Sequence, residues 1–210
     1  MPHMFELIRK TDQTTSDWSG GTTTQIVIYP QQAVYAERNF TWRISSARVD
    51  LEESLFTSLP GIERLIMVLE GEMRLEHTGH HNSYLKPFDQ DSFSGNWSTK
   101  SFGKVRDFNL MLAEGSSGKL TAVTLAAQTT NTLDIHNPNP GRFPCMTSAL
   151  YCVDGTLTVS IPNGKLYKLT AGDMLLITTK QATANLPATV TNTATNQAHI
   201  VRSDIYYPLN

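Results

Sequence analysis

RLIMVLEGEMRLEH, residues 64–77, runs as an apolar strand into an acidic residue and a glycine and leaves as an alternating strand. SALYCVDGTLTVSI, residues 148–161, does the same. Laying Gly71 on Gly155, 84 residues further on, also lays Leu85 on Leu169. Each copy then continues through a turn and an Asp into another apolar strand. A repeat of that length fits two barrels in one chain, because solenoid units are shorter.

Short β-rich runs extend outward from both copies. They are Thr22–Tyr29, Thr41–Val49, Arg64–Leu69, Glu72–His77, Phe108–Leu112, Leu120–Leu125, Ala149–Val153, Thr156–Ile161, Met174–Thr178 and Ile200–Tyr206. Turn residues punctuate them at Pro60-Gly61, Glu70-Gly71, Asp154-Gly155, Asn163-Gly164 and Gly172-Asp173. No window of eleven or more residues carries an apolar stripe at helical spacing. Many short strands with such punctuation predict an all-β barrel or sandwich. Gly115-Ser116-Ser117-Gly118 is the best crossing point between the halves, which places an N-terminal barrel at 1–115 and a C-terminal one at 116–210.

The 210 residues carry 17 % charged side chains and a net charge of -2. That balance argues against a nucleic-acid footprint and against a polybasic membrane patch. The longest purely apolar run is Leu65–Leu69, too short to span a bilayer, and no signal peptide is visible, so a cytoplasmic location is expected. Two cysteines, Cys145 and Cys152, make no disulfide framework and read as half-buried thiols.

The N-terminal half resembles the HutD/Ves family of bicupins. The resemblance rests on Trp18-Ser19-Gly20-Gly21-Thr22-Thr23-Thr24-Gln25, on Phe40-Thr41-Trp42-Arg43-Ile44-Ser45-Ser46-Ala47, on Phe56, and on Pro60-Gly61-Ile62-Glu63-Arg64. Leu69-Glu70-Gly71, Phe93-Ser94-Gly95 and Asp107–Met111 complete it, over roughly residues 5–112, while the second half is similar only to a degenerate cupin. The resemblance implies two stacked cupin (jelly-roll) barrels, a possible homodimer and no established catalytic activity. It also implies a regulatory role near histidine utilisation, sensing a small acidic intermediate such as a formylated glutamate, or a link to stress response.

An active cupin places His-x-His and Glu around its motif glycine. Here those places fall near Thr57, Leu59 and Arg64, and in the second repeat near Gly141, Phe143 and Ser148, so no metal and no other cofactor is expected. A guanidinium is permanently charged and has no lone pair to give a cation. His77, His80 and His81 read as an exposed hairpin tip without a carboxylate in fixed register, His136 as a loop residue and His199 as a rim residue. No nucleophile elbow or phosphate-binding glycine loop is present.

Strand alternation supplies the remaining chemistry. Trp42, Ile44 and Ser46 share one face; Arg43, Ser45 and Ala47 share the other. Thr23 pairs with Gln25, and Asp107 and Asn109 with Met111, in the same way. Such a polar face either meets water or, in a closed barrel, lines a hollow. In the second case Arg43 and Arg64 grip a carboxylate. Thr23, Gln25, Ser45 and Asn109 orient it, Trp18 and Phe93 close the mouth, and Asp107 is the counter-ion of an arginine. The competing reading of Arg64 is a buried ion pair with Asp107 or Glu63 that only fixes the barrel. For Gly20-Gly21 the readings are a backbone turn or an approach to an anion. The expectation is therefore a non-enzymatic protein that binds a small acidic metabolite. A metal-independent isomerase or hydrolase using the same pocket, and a structural or dimerisation module, are the alternatives.

Overall fold

The computed structural model describes residues 3–162, 164–180 and 185–209. Asn163 of the expected Asn163-Gly164 turn lies outside them. The chain opens with strand β1 (His3–Ile8), followed by β2 (Thr14–Trp18), β3 (Gly21–Tyr29), β4 (Trp42–Val49), β5 (Glu53–Leu55) and β6 (Ile62–Gly71). Next come β7 (Met73–His77), β8 (Asn82–Leu85), β9 (Gln90–Ser94), β10 (Thr99–Phe102) and β11 (Val105–Ala113). After Gly115 follow β12 (Ser117–Leu125), β13 (Thr130–Ile135), β14 (Cys145–Cys152), β15 (Thr156–Ser160), β16 (Leu166–Thr170), β17 (Met174–Lys180), β18 (Leu186–Asn192) and β19 (Ala198–Tyr207).

Residues Gln13–Glu114 form one unit and the chain from Gly115 belongs to another. The boundary at the N-terminus is different from the one expected. Residues through Asp12 belong to the second unit, because β1 pairs antiparallel with β17 from Met174 to Thr179. Arg9 and the Lys10 backbone then bond the Asp173 carboxylate, at 2.8 and 3.0 Å.

The first unit holds two antiparallel sheets, β2-β3-β4-β11-β6-β9 and β5-β10-β7-β8. The second holds β1-β17-β14-β19-β12 and β13-β18-β15-β16. Reading β4 as β12, β6 as β14 and so on to β11 as β19 makes the two eight-strand cores identical in order. Each is a jelly roll, and the fold is a bicupin. The repeat persists in single hydrogen bonds. Asp89 accepts from Lys86 N–H as Asp173 accepts from Thr170 N–H, each at 3.0 Å. Gly71 and Gly155 stand at φ +82 and +78, a region in which other residues are strained.

Both faces of the central strands are buried. Trp42, Ile44, Phe108 and Leu110 are 0–2 % exposed on one face. On the other face lie Arg43, Ser45, Asp107 and Asn109, none more than 5 % exposed. The polar side is therefore inside the first unit. Below it an apolar plug of Ile66, Val68, Met73, Leu75, Leu85 and Phe93 fills the barrel. The second unit is filled by a hydrocarbon core that includes Met146, Leu150, Ile177, Val190 and Ile200. Cys145 and Cys152 are fully buried there rather than half-buried, and free. Burial pushes the Cys152 thiol up to about 12, which leaves it inert. Among the described residues no helix is long and apolar enough to cross a membrane.

Candidate functional site

A cavity of about 310 Å³ opens in the first unit between β3, β4, β11 and β6 on one wall and the segment around β5 on the other. Its floor is polar. Arg43, Ser45 and Ala47 come from β4, Asp107, Asn109 and Met111 from β11, Arg64 from β6 and Thr23 from β3. Two irregularities aim these side chains. A bulge at Ile26 separates the Gln25–Ser45 pair from the Val27–Ile44 pair and leaves Gln25 beside Arg43. A second shift opposite Arg106 and Asp107 returns Asp107 to the inward face, across from Val68.

The two guanidinium groups are held differently. Arg43 Nε donates to Gln25 Oε1 at 2.8 Å and Nη1 donates to Ser45 Oγ at 2.9 Å. Its Cζ lies 4.3 Å from the centre of the Tyr35 ring. Arg64, 7 % exposed, donates no hydrogen bond among the described residues, and its Nε is buried without a partner. Two aromatic rings carry it instead, Phe56 at 4.6 Å and Phe93 at 5.2 Å from Cζ. Burial lowers its pKa to about 10; Tyr35 and Asp107 oppose that, and the Arg43 charge adds to it.

Asp107 is not the direct counter-ion expected. It forms no ion pair with either arginine among the described residues, and its Oδ1 is buried without a partner, as is Oδ1 of Asn109. Burial pushes the Asp107 carboxyl up to about 7; the Arg64 charge and the Ala47 N–H hold it back. Glu63 is exposed, so neither acid locks Arg64 in a buried salt bridge. The site thus gathers a guanidinium with an unpartnered Nε, an unpartnered amide oxygen and a carboxyl with a pKa near neutrality around one hollow.

Trp18 stands at the rim, 38 % exposed. Gly20 explains its position. A Cβ there would fall 2.0 Å from Trp18 Cζ3, so the indole lies flat on the glycine. Gly21 instead lets β3 approach β4, where a Cβ would fall 1.9 Å from Arg48 O. Both glycines therefore serve packing. Gly20→Ala is expected to fold, swing Trp18 off the rim, shift its fluorescence and weaken ligand binding severalfold; unchanged fluorescence would show that the ring is held by something else.

Of the nine residues singled out in the sequence, Trp18, Thr23, Arg43, Ser45, Arg64, Asp107 and Asn109 line the cavity. Gln25 acts one step behind, through Arg43. Phe93 does not close the mouth. It pairs with Arg64 across β9 and β6, is 3 % exposed, and lies beneath the guanidinium as part of the plug. Tyr35 and Leu55 are lining residues that alternation could not find, because both come from connections and a short edge strand.

A family model, HutD, matches residues 10–197. An uncharacterized 21.2 kDa protein in the hutC 3' region of Pseudomonas putida is 36 % identical over 116 residues, 52 % of this chain and 58 % of that protein. The chain thus matches little more than half the length of that relative. Among solved structures, a conserved protein of unknown function from Pseudomonas aeruginosa PAO1 superposes with a TM-score of 0.77 at 24 % identity, covering 99 % of this chain and 100 % of that one. HutD from Pseudomonas fluorescens SBW25, in a formate condition, gives 0.69 at 22 % identity over 95 % and 98 %. Oxalate decarboxylase of Lactobacillus farciminis, in a formate complex, gives 0.67 at 8 % identity over 97 % and 86 %.

Proposed function

The chain belongs to the HutD family, related to proteins of histidine-utilisation operons, and from that premise we propose that its first barrel is a receptor for a small carboxylate metabolite, binding it without turnover. One observation carries this: Arg64 is buried, and its Nε has no hydrogen-bond partner among the described residues. A guanidinium presents a planar fork that a carboxylate fills with two parallel hydrogen bonds. Until such an anion arrives, Arg64 and Arg43 repel each other across the hollow.

The lining narrows the ligand class. Ser45, Thr23 and Asn109 offer hydrogen bonds beyond the carboxylate, and Phe56, Leu55 and Met111 offer hydrocarbon walls. The volume is at the small end of the usual ~300–1,000 Å³ range for ligand pockets. A short mono- or dicarboxylate suits it, N-formylglutamate among them, with a regulatory role in the breakdown of histidine. A second reading has one observation in its favour. A carboxyl held near 7 beside a cationic group is poised as a general acid or base, and turnover lost in Asp107→Asn would favour an enzyme.

Thermal unfolding with formate, glutarate, glutamate and N-formylglutamate tests the receptor. A ligand at 100 times its Kd stabilises the folded chain by about 2.7 kcal/mol. For a chain of this size that is a rise of roughly 5–10 °C in Tm. No shift with any acid at millimolar concentration removes the proposal.

A further inference from the structure

We propose that the first unit holds a divalent transition-metal site, of the class that takes zinc or cobalt, formed by His77, His81 and Asp91. The cluster stands apart from the carboxylate cavity and from the places where cupin ligands were sought in the sequence. His77 ends β7, His81 lies across the tight turn that follows, and Asp91 comes from β9 in the other sheet. The ligand atoms of the three all lie within 4.8 Å of one another. His77 Nε2 is 3.1 Å from Asp91 Oδ2, and His81 Nε2 is 3.0 Å from Oδ1. Donors about 2.0–2.2 Å from a tetrahedral zinc stand roughly 3.3 Å apart, so the carboxylate edges are already near coordination spacing.

The surroundings are those that orient metal ligands. Thr99 Oγ1 meets His77 Nδ1 at 2.8 Å, and when Nδ1 carries the proton the Nε2 lone pair faces the cluster. Ser83 Oγ donates to Asp91 Oδ2 at 2.6 Å, and Ser92 N–H donates to Oδ1 at 2.7 Å. The turn between the histidines is fixed by its own backbone. His77 N–H donates to His81 O and His80 N–H donates to His77 O. His80 stacks on Trp97 with ring centres 3.7 Å apart.

His77 is 2 % exposed, against the exposed tip expected from sequence. The tip has a carboxylate after all, because β9 crosses from the facing sheet, a contact that spacing within one hairpin does not reveal. His81 has a 43 % exposed side chain and leaves one side open to water or a further ligand. Two imidazoles with one carboxylate suit a borderline ion rather than magnesium or calcium. Phe93 separates this cluster from the cavity. Its ring centre is 4.6 Å from that of His77 on one side and 5.2 Å from Arg64 Cζ on the other.

The test is a titration of the full chain with Co(II) at pH 7.5, followed by Zn(II) competition. The expected result is one equivalent of Co(II) giving a visible d–d band and quenching Trp97, whose ring is 5.7 Å from that of His81, with Zn(II) abolishing both signals. His81→Ala, at an exposed position, weakens binding by about 100-fold or more, since even supporting residues cost 10–100-fold. Arg64→Leu binds as the parent does, which keeps this site distinct from the carboxylate receptor. Absence of saturable binding, or a titration that His81→Ala leaves unchanged, overturns the assignment.

Discussion

Arg64→Leu is expected to lose carboxylate binding while making the ligand-free protein harder to unfold. Removing one partner of a buried, hydrogen-bonded charge pair costs ~2–5 kcal/mol, which corresponds to a loss of about 30- to 5,000-fold in affinity. The stability change has the opposite sign. A leucine in place of Arg64 relieves a cation that is 7 % exposed, whose Nε has no partner among the described residues, and that sits near the like charge of Arg43. Exchanging poorly compensated buried charge for hydrocarbon raises stability by ~1–4 kcal/mol in comparable cases. Lost cation–π contact with Phe56 and Phe93 gives back ~0.5–2 kcal/mol. A net gain of about 1–2 kcal/mol should appear as a higher denaturation midpoint with an unchanged slope.

Arg43→Ala provides the contrast. That guanidinium already bonds Gln25 and Ser45, so its removal orphans one half-buried and one buried group and lowers stability by ~1–3 kcal/mol. If both variants are destabilised alike, Arg64 is a structural residue and the receptor reading fails. A gain in stability with retained binding would place the anion elsewhere.

The difference between the two arginines was not legible in the sequence, although their shared placement was. Alternation along Thr41–Val49 put Arg43 and Ser45 on one face, and the structure keeps that face inside the barrel. Register had to be right for this, since a slip of one residue would have moved Trp42 and Ile44 to the cavity. Strands such as β5, β10 and β18 left little trace because they are short or polar, and their pairing is set by partners far along the chain. Residues delivered by such segments were therefore missed, Leu55 at the cavity and Asp91 beside His77 among them. Bulges are equally silent in the sequence. Nothing in Gln25-Ile26-Val27 announces the irregularity that brings Gln25 to Arg43. From the sequence, Phe93 is expected at the mouth. Its pairing with Arg64, through β9 and β6, sends it below the guanidinium instead.

Asp107 should make the stability of the ligand-free protein fall as pH rises from 4 to 8. Its carboxyl has a folded value of about 7 against an ordinary 3.8, with burial the larger cause and Arg64 in opposition. Between those values the folded state holds a proton that the unfolded state has released, so the slope of unfolding free energy with pH is negative. The stabilisation is complete below about 4 and is lost as pH passes about 7. Three pH units at ~1.4 kcal/mol each give a loss on the order of 4 kcal/mol. His77 bends the curve the other way at the acid end, because burial lowers its pKa and acid must then charge a buried imidazole. Subtracting the Asp107→Asn curve removes that contribution, and the difference should carry the whole negative slope. Ligand binding tightens the same coupling. An arriving carboxylate places a second negative charge beside Asp107, so the complex takes up a proton above neutrality and Kd rises by up to tenfold per pH unit. In Asp107→Asn the affinity should be flat across this range, and calorimetry in buffers of different ionisation heat should detect no proton uptake. A parent protein whose Kd is constant from pH 6 to pH 9 would mean that the anion does not sit against Asp107, and that the polar floor of β11 is not its binding surface.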